Sequence, residues 1–163
     1  MSDAANKSNK EVRLSGLLKE KFIELCFKGK NKKEIIAELV GVVSQSGKIK
    51  DKKAFTKALI DREKLGSTAI GNGVAIPHAK IDGLDKILLA FGRVDAGVDF
   101  SSLDGEKTYI FFALASSKKE IGAHLKVLAS VSHLIKDKFI VELLKKANNK
   151  KEVLKIISSS EKN

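Results

Sequence analysis

The run Thr108-Tyr109-Ile110-Phe111-Phe112-Ala113-Leu114-Ala115 carries no charge, no glycine and no proline. At about 3.3 Å per residue it has the length of an ordinary strand, and it is far short of the ~20 residues of a membrane-spanning helix. A strand apolar at consecutive positions, rather than at alternate ones, must be covered on both faces. The run therefore predicts a central strand in a sheet sandwiched by helices. Ile87–Val94 reads as a second strong strand candidate, and Lys21–Phe27 (KFIELCF) as a shorter one.

Helix signals surround these strands. Asn31 with Glu34 three residues later forms a capping-box pattern ahead of the stripe Ile35, Ile36, Leu39, Val40 and Val43. Asp51 opens a second helix bearing Phe55, Ala58, Leu59 and Arg62, which Gly66 ends. Ser117 with Glu120 predicts a third helix reaching about Lys136, followed by helices near 138–147 and 149–159. Between them, Ser67–Pro77 (STAIGNGVAIP) reads as short strands about an Asn-Gly turn. The expected fold is α/β, a single domain with a mixed β-sheet of about five strands flanked by helices on both faces. Residues 1–12 are expected to be a disordered basic and polar tail, and residues 13–163 the domain.

Composition excludes several classes. The one cysteine, Cys26, cannot form an internal disulfide; it lies in an apolar run and reads as a small core residue. No Cys/His cluster has zinc-ligand spacing, and no signal peptide or membrane span is evident, so a cytoplasmic protein is expected. The net charge of +11 raises nucleic acid as a partner, yet 28 of the 31 positive residues are lysine, there is no Trp and one Tyr. Base readout leans on arginine forks and single-strand binding on exposed aromatics, so no nucleic-acid partner is expected. No phosphate-binding loop of the G-x-x-x-x-G-K-[ST] type and no G-x-S-x-G elbow is present.

Histidine and arginine are scarce enough to weigh singly. His78 ends the run Gly71-Asn72-Gly73-Val74-Ala75-Ile76-Pro77-His78, directly after the only proline. Pro77 fixes its own φ and biases Ile76 toward extended geometry, so the imidazole enters on a stiff backbone. A neutral imidazole is a competent nucleophile near neutral pH. The alternative is a histidine at a strand-to-loop junction that bonds a nearby carbonyl. His124 and His133 are nine residues apart, about half a turn out of phase on one helix. That places His124 on the stripe of Ile121, Leu125, Leu128, Val131 and Ile135, and His133 toward solvent. His124 is either a satisfied core residue or a group near a helix N-terminus, where an anion is favoured. Arg62 complements the C-terminal dipole of its helix, and beside a nucleophilic histidine it also offers a clamp for a phosphoryl group.

The stretch from Arg62 through Gly71-Asn72-Gly73-Val74-Ala75-Ile76-Pro77-His78 resembles the active-site signature of enzyme IIA domains of the fructose/mannitol class of the bacterial phosphotransferase system, which includes the nitrogen-regulatory enzyme IIA proteins. Gly122-Ala123-His124-Leu125 looks like the second-histidine helix of that family, and the Leu103-Asp104-Gly105 turn also fits. The resemblance implies that His78 accepts a phosphoryl group from the phosphohistidine of HPr, or of a nitrogen-branch homologue, while Arg62 and His124 flank it. It implies transfer onward to an enzyme IIB domain in sugar uptake. The alternative is a regulatory protein whose phosphorylation state switches binding to cytoplasmic kinases or transporters. Neither needs a metal, a cofactor or insertion into a membrane.

Overall fold

The computed structural model describes residues 12–161. The tail expected over residues 1–12 lies outside them except for Val12, whose carbonyl accepts a hydrogen bond from Ser130 Oγ at 3.0 Å. Six strands form one mixed sheet: β1 (Ile23–Glu24), β2 (Ala69–Gly71), β3 (Val74–Ala75), β4 (His78–Ile81), β5 (Leu88–Val98) and β6 (Thr108–Ser117). The order is β1-β5-β6-β3-β2, and β4 also pairs with β6 beyond the end of β3. Among the described residues six α-helices accompany it: α1 (Leu14–Leu17), α2 (Lys32–Val43), α3 (Lys52–Lys64), α4 (Ile121–Ile135), α5 (Lys138–Lys146) and α6 (Lys150–Glu161).

The apolar run of β6 is indeed central, antiparallel to β5 on one side and parallel to β3 and β4 on the other. From Ile110 to Ser116 every residue is buried, so both faces of the strand are covered. The helices sort into two groups by their principal contacts. α2 packs with α3 and against β5, while α4, α5 and α6 form a chain of neighbours joined by α1. Phe55, Phe91, Phe100, Phe111 and Phe112 are fully buried, the last four in edge-to-face pairs Phe91–Phe112 and Phe100–Phe111, and each adds a large apolar contribution to the core.

Local sequence explains the starts of three helices, α2, α3 and α5. Asn31 Oδ1 accepts from Glu34 N at 2.9 Å, and Glu34 reaches back to Lys30 N at 2.7 Å. Asp51 accepts from Ala54 N at 3.0 Å, and Asp137 caps α5 through Phe139 N at 2.9 Å.

Three expectations are corrected. Only Ile23–Glu24 of the Lys21–Phe27 run pairs as a strand, preceded by a 3₁₀ turn at Glu20–Phe22. The Glu24 carboxylate accepts the Cys26 amide at 3.0 Å, which takes that amide off the ladder and leaves Cys26 exposed rather than in the core. At the start of α4 no capping box forms. β6 continues through Ser117 because Ser117 pairs with Ile81, Ser117 Oγ accepts from Lys119 N at 3.1 Å, and Glu120 occupies the N-cap without a side-chain bond.

Candidate functional site

His78 opens β4, on the side of β6 opposite β5. The approach to it is built by the β2–β3 hairpin. Asn72 and Gly73 both have positive φ, 58° and 77°, the two-residue geometry that an Asn-Gly pair adopts in hairpins of this twist. The chain then runs through Ile76 and Pro77, and Pro77 O accepts from Leu114 N at 2.9 Å, which ties the segment before His78 to the central strand. β4 follows in parallel register, with His78 opposite Leu114 and Lys80 opposite Ser116.

The tautomer of His78 follows from its partners. Nδ1 lies 2.7 Å from the Ile76 carbonyl oxygen, which can only accept, so Nδ1 carries the proton. Nε2 is left with a lone pair, and Arg62 Nε–H donates to it at 3.2 Å. Arg62 comes from the last turn of α3, and its Nη1 also donates to Gly66 O at 2.9 Å. The guanidinium is thereby tied both to the end of its own helix and to the imidazole. Partial burial is the main cause that lowers the His78 pKa below the usual 6.5; the bond to Ile76 opposes it, and the Arg62 charge adds to the lowering.

His124 sits in the first turn of α4, 3% exposed, with its ring centroid 5.4 Å from that of His78 at an interplanar angle of 62°. Its Nδ1 pairs with Ser116 Oγ, itself fully buried. If Nδ1 held the proton, the Ser116 hydroxyl hydrogen would be buried without an acceptor; the hydroxyl therefore donates, and the proton of the neutral His124 ring stands on Nε2. Burial, then the His78 and Lys80 charges, push the pKa of His124 down to about 4. At neutral pH both rings are uncharged. One presents a lone pair and the other an N–H.

The three residues singled out in the sequence thus come together, and His133 is exposed as expected. The stripe drawn through α4 is corrected. Val127, Val131, Leu134 and Ile135 share the buried face with His124, while Ile121 and Leu125, at 54% and 59%, are exposed. The buried face is rotated toward Val127 and Leu134, so these two large apolar residues stand free beside His124. Leu65, 84% exposed just after α3 and three residues beyond Arg62 in the chain, is a third exposed apolar residue.

Sequence reasoning missed Glu63. This carboxylate is 7% exposed, accepts from Thr68 N at 3.2 Å and from Thr68 Oγ, and pairs with Lys32 Nζ at 3.2 Å. As an acidic residue in the last turn of a helix, beside Arg62, it reads as solvated surface; only Thr68 five residues later hints at a partner. Among the described residues, no three His, Cys, Asp or Glu side chains are grouped so as to hold a metal ion. No described helix is long and apolar enough to cross a membrane.

Comparison with known proteins gives this geometry a context. The fructose-specific EIIABC component of the phosphotransferase system of Bacillus subtilis is 34% identical over 93% of this chain, which spans 24% of that longer protein. A nitrogen regulatory protein of Bradyrhizobium diazoefficiens is 34% identical over 82% of this chain and 86% of its own length. The crystal structure of the nitrogen regulatory protein IIA-Ntr from Neisseria meningitidis superposes with a TM-score of 0.83 at 30% identity, covering 88% of this chain and 98% of that one. Residues 16–160, nearly all of the described residues, match the family described as phosphoenolpyruvate-dependent sugar phosphotransferase system, EIIA 2, and the chain belongs to that family.

Proposed function

We propose that this protein is a phosphocarrier in which His78 Nε2 takes a phosphoryl group from the phosphohistidine of HPr or a nitrogen-branch homologue and passes it to an enzyme IIB domain. The observation that carries this reading is the pairing at His78: Nδ1–H held by the Ile76 carbonyl, and the Nε2 lone pair facing the Arg62 guanidinium.

The lone pair on Nε2 attacks phosphorus in line as the donor's N–P bond breaks, and that bond's electrons return to the donor imidazole. No proton has to leave His78, because Nδ1–H stays on the Ile76 carbonyl throughout. The ring gains positive charge, and its bond to the carbonyl strengthens as it does. The Arg62 Nε–H that meets Nε2 in the resting protein turns to a phosphoryl oxygen, while the Nη1 bond to Gly66 keeps the guanidinium in place. His124 offers its Nε2–H to a second oxygen. Such transfer depends on positioning and electrostatic stabilisation more than on covalent assistance, which suits a site made of two imidazoles and one guanidinium. Leu65, Ile121 and Leu125 supply the apolar rim against which a donor protein would seat.

The test supplies phosphoenolpyruvate, its kinase and HPr to the purified protein. Acid-labile, base-stable phosphate is expected on the parent and absent from His78→Ala; normal labelling of the variant overturns the reading. A second reading, a regulator whose phosphorylation state switches association with a kinase or transporter, is favoured by the likeness to nitrogen regulatory proteins over most of both chains. Added phosphate at the rim would change its charge and hydrogen-bonding capacity. Phosphoryl transfer to an enzyme IIB domain marks the first reading, and phosphorylation-dependent binding without transfer marks the second.

A further inference from the structure

Glu63 presents a physical puzzle. A carboxylate at 7% exposure carries a large desolvation cost, and its ionic partner among the described residues, Lys32, is itself partly exposed at 29% of its side chain. An apolar residue of similar size would serve the packing of α3 at least as well. What the carboxylate does here is grip a single residue twice: it takes both the backbone N–H and the hydroxyl of Thr68.

Thr68 leads directly to the site. Its carbonyl accepts from Ile76 N at 3.1 Å, and the carbonyl of the same Ile76 accepts from His78 Nδ1 at 2.7 Å. The path from Glu63 to the imidazole is therefore continuous, through Thr68 and the two backbone polar groups of Ile76. Because Glu63 is the next residue after Arg62 in α3, one turn of helix sends its cation to Nε2 and its anion, through the hairpin, to the carbonyl that holds Nδ1. Both ring nitrogens are controlled from the same two residues.

We propose that Glu63 is a positioning residue for phosphoryl transfer: through Thr68 it fixes the Ile76 carbonyl against His78 Nδ1–H, so that the lone pair stays on Nε2. Its charge has a second effect of the same sign. As Nε2 bonds phosphorus the ring becomes cationic, and a buried anion nearby favours that form, whereas Arg62 and Lys80 oppose it. Without Glu63 the two cations would act alone on the ring. This rests on His78 as the acceptor, and the experiment separates the two ideas.

Glu63→Gln keeps the side chain's shape and an oxygen to accept from Thr68, and removes the charge. Thr68→Val removes the hydroxyl and keeps the charge, and Thr68→Ser restores it. Each is assayed for phosphorylation rate by phospho-HPr, with the tautomer of His78 read from its ring ¹⁵N shifts. Glu63→Gln and Thr68→Val are expected to slow phosphorylation at least tenfold and to raise the fraction of His78 protonated on Nε2, with Thr68→Ser recovering both. Rates within twofold of the parent and an unchanged tautomer, whether or not the melting temperature falls, would reduce Glu63 to a structural residue. Should Glu63→Gln not fold, the Val/Ser pair decides the matter alone. If His78→Ala still takes up phosphate, it is the acceptor assignment that fails, not the positioning argument alone.

Discussion

Arg62 Nε donates to His78 Nε2 at 3.2 Å, so in the proposed transfer the attacking nitrogen is already held by the cation that would receive its product. The arrangement costs little to reverse. A guanidinium has five N–H donors, and in the proposed transfer this one would keep its bond to Gly66 O while exchanging an imidazole lone pair for a phosphoryl oxygen.

Removing that cation should affect rate far more than stability. Arg62→Ala is expected to lower the rate of phosphorylation by about 100-fold, the usual effect of losing one preorganised donor to a developing anion. Because the side chain is only half buried, thermal unfolding should shift by no more than a few degrees. Stopped-time labelling and a melting curve on one preparation separate the two; a large loss of stability with an ordinary rate would leave Arg62 as a helix C-terminal residue only.

His124 makes stability depend on pH. Its pKa of about 4 in the folded protein, lowered chiefly by burial, compares with an ordinary value of 6.5. Between those limits the unfolded chain binds a proton that the folded one refuses, so stability falls as pH drops from about 6.5 toward about 4 and is unaffected by this group above that range. The loss is on the order of 3 kcal/mol. Urea midpoints for the parent and His124→Gln at pH 7 and pH 4.5 isolate it: the variant should lose less on acidification.

The exposed Leu65, Ile121 and Leu125, close to Arg62 and His124 in the chain, predict a partner effect without a chemical one. Leu125→Asp or Leu65→Asp should raise the KM for phospho-HPr about tenfold, the loss expected when an apolar contact in an interface centre becomes a charge, while leaving the melting temperature unchanged. A variant with a lower kcat and unaltered KM would argue against docking at this face.

Arg93 tests the fold independently of the site. Its buried guanidinium donates to Leu144 O at 3.1 Å and Ala147 O at 2.8 Å, closing the C-terminal end of α5 onto β5. Arg93→Leu leaves both carbonyls without that donor and should destabilise by about 2 kcal/mol, or roughly 4–8 °C in melting temperature. Phosphorylation below the melting range should be normal.

Much of this was legible in the residues. An uncharged eight-residue run identified β6 as central, because only a strand covered on both faces can be apolar at every position. Asn-Gly fixed the hairpin that delivers His78, and helical phase separated His124 from His133. What failed depended on competition between local bonds. Glu24 captures the Cys26 amide and ends a strand that composition favours, and pairing of Ser117 with Ile81 keeps it in the sheet when its spacing to Glu120 suggests a cap. Glu63 was invisible for a different reason. Whether a helical carboxylate meets water or Thr68 is decided by where the chain goes after Gly66, and no periodicity reports that.

The most direct test is to phosphorylate the protein through HPr and identify the phosphorylated atom by ³¹P and ¹⁵N NMR. A single phosphorus signal coupled to Nε2 of His78, lost in His78→Ala, is the predicted result; phosphate on Nδ1 of that ring, or on any other residue, would contradict the account.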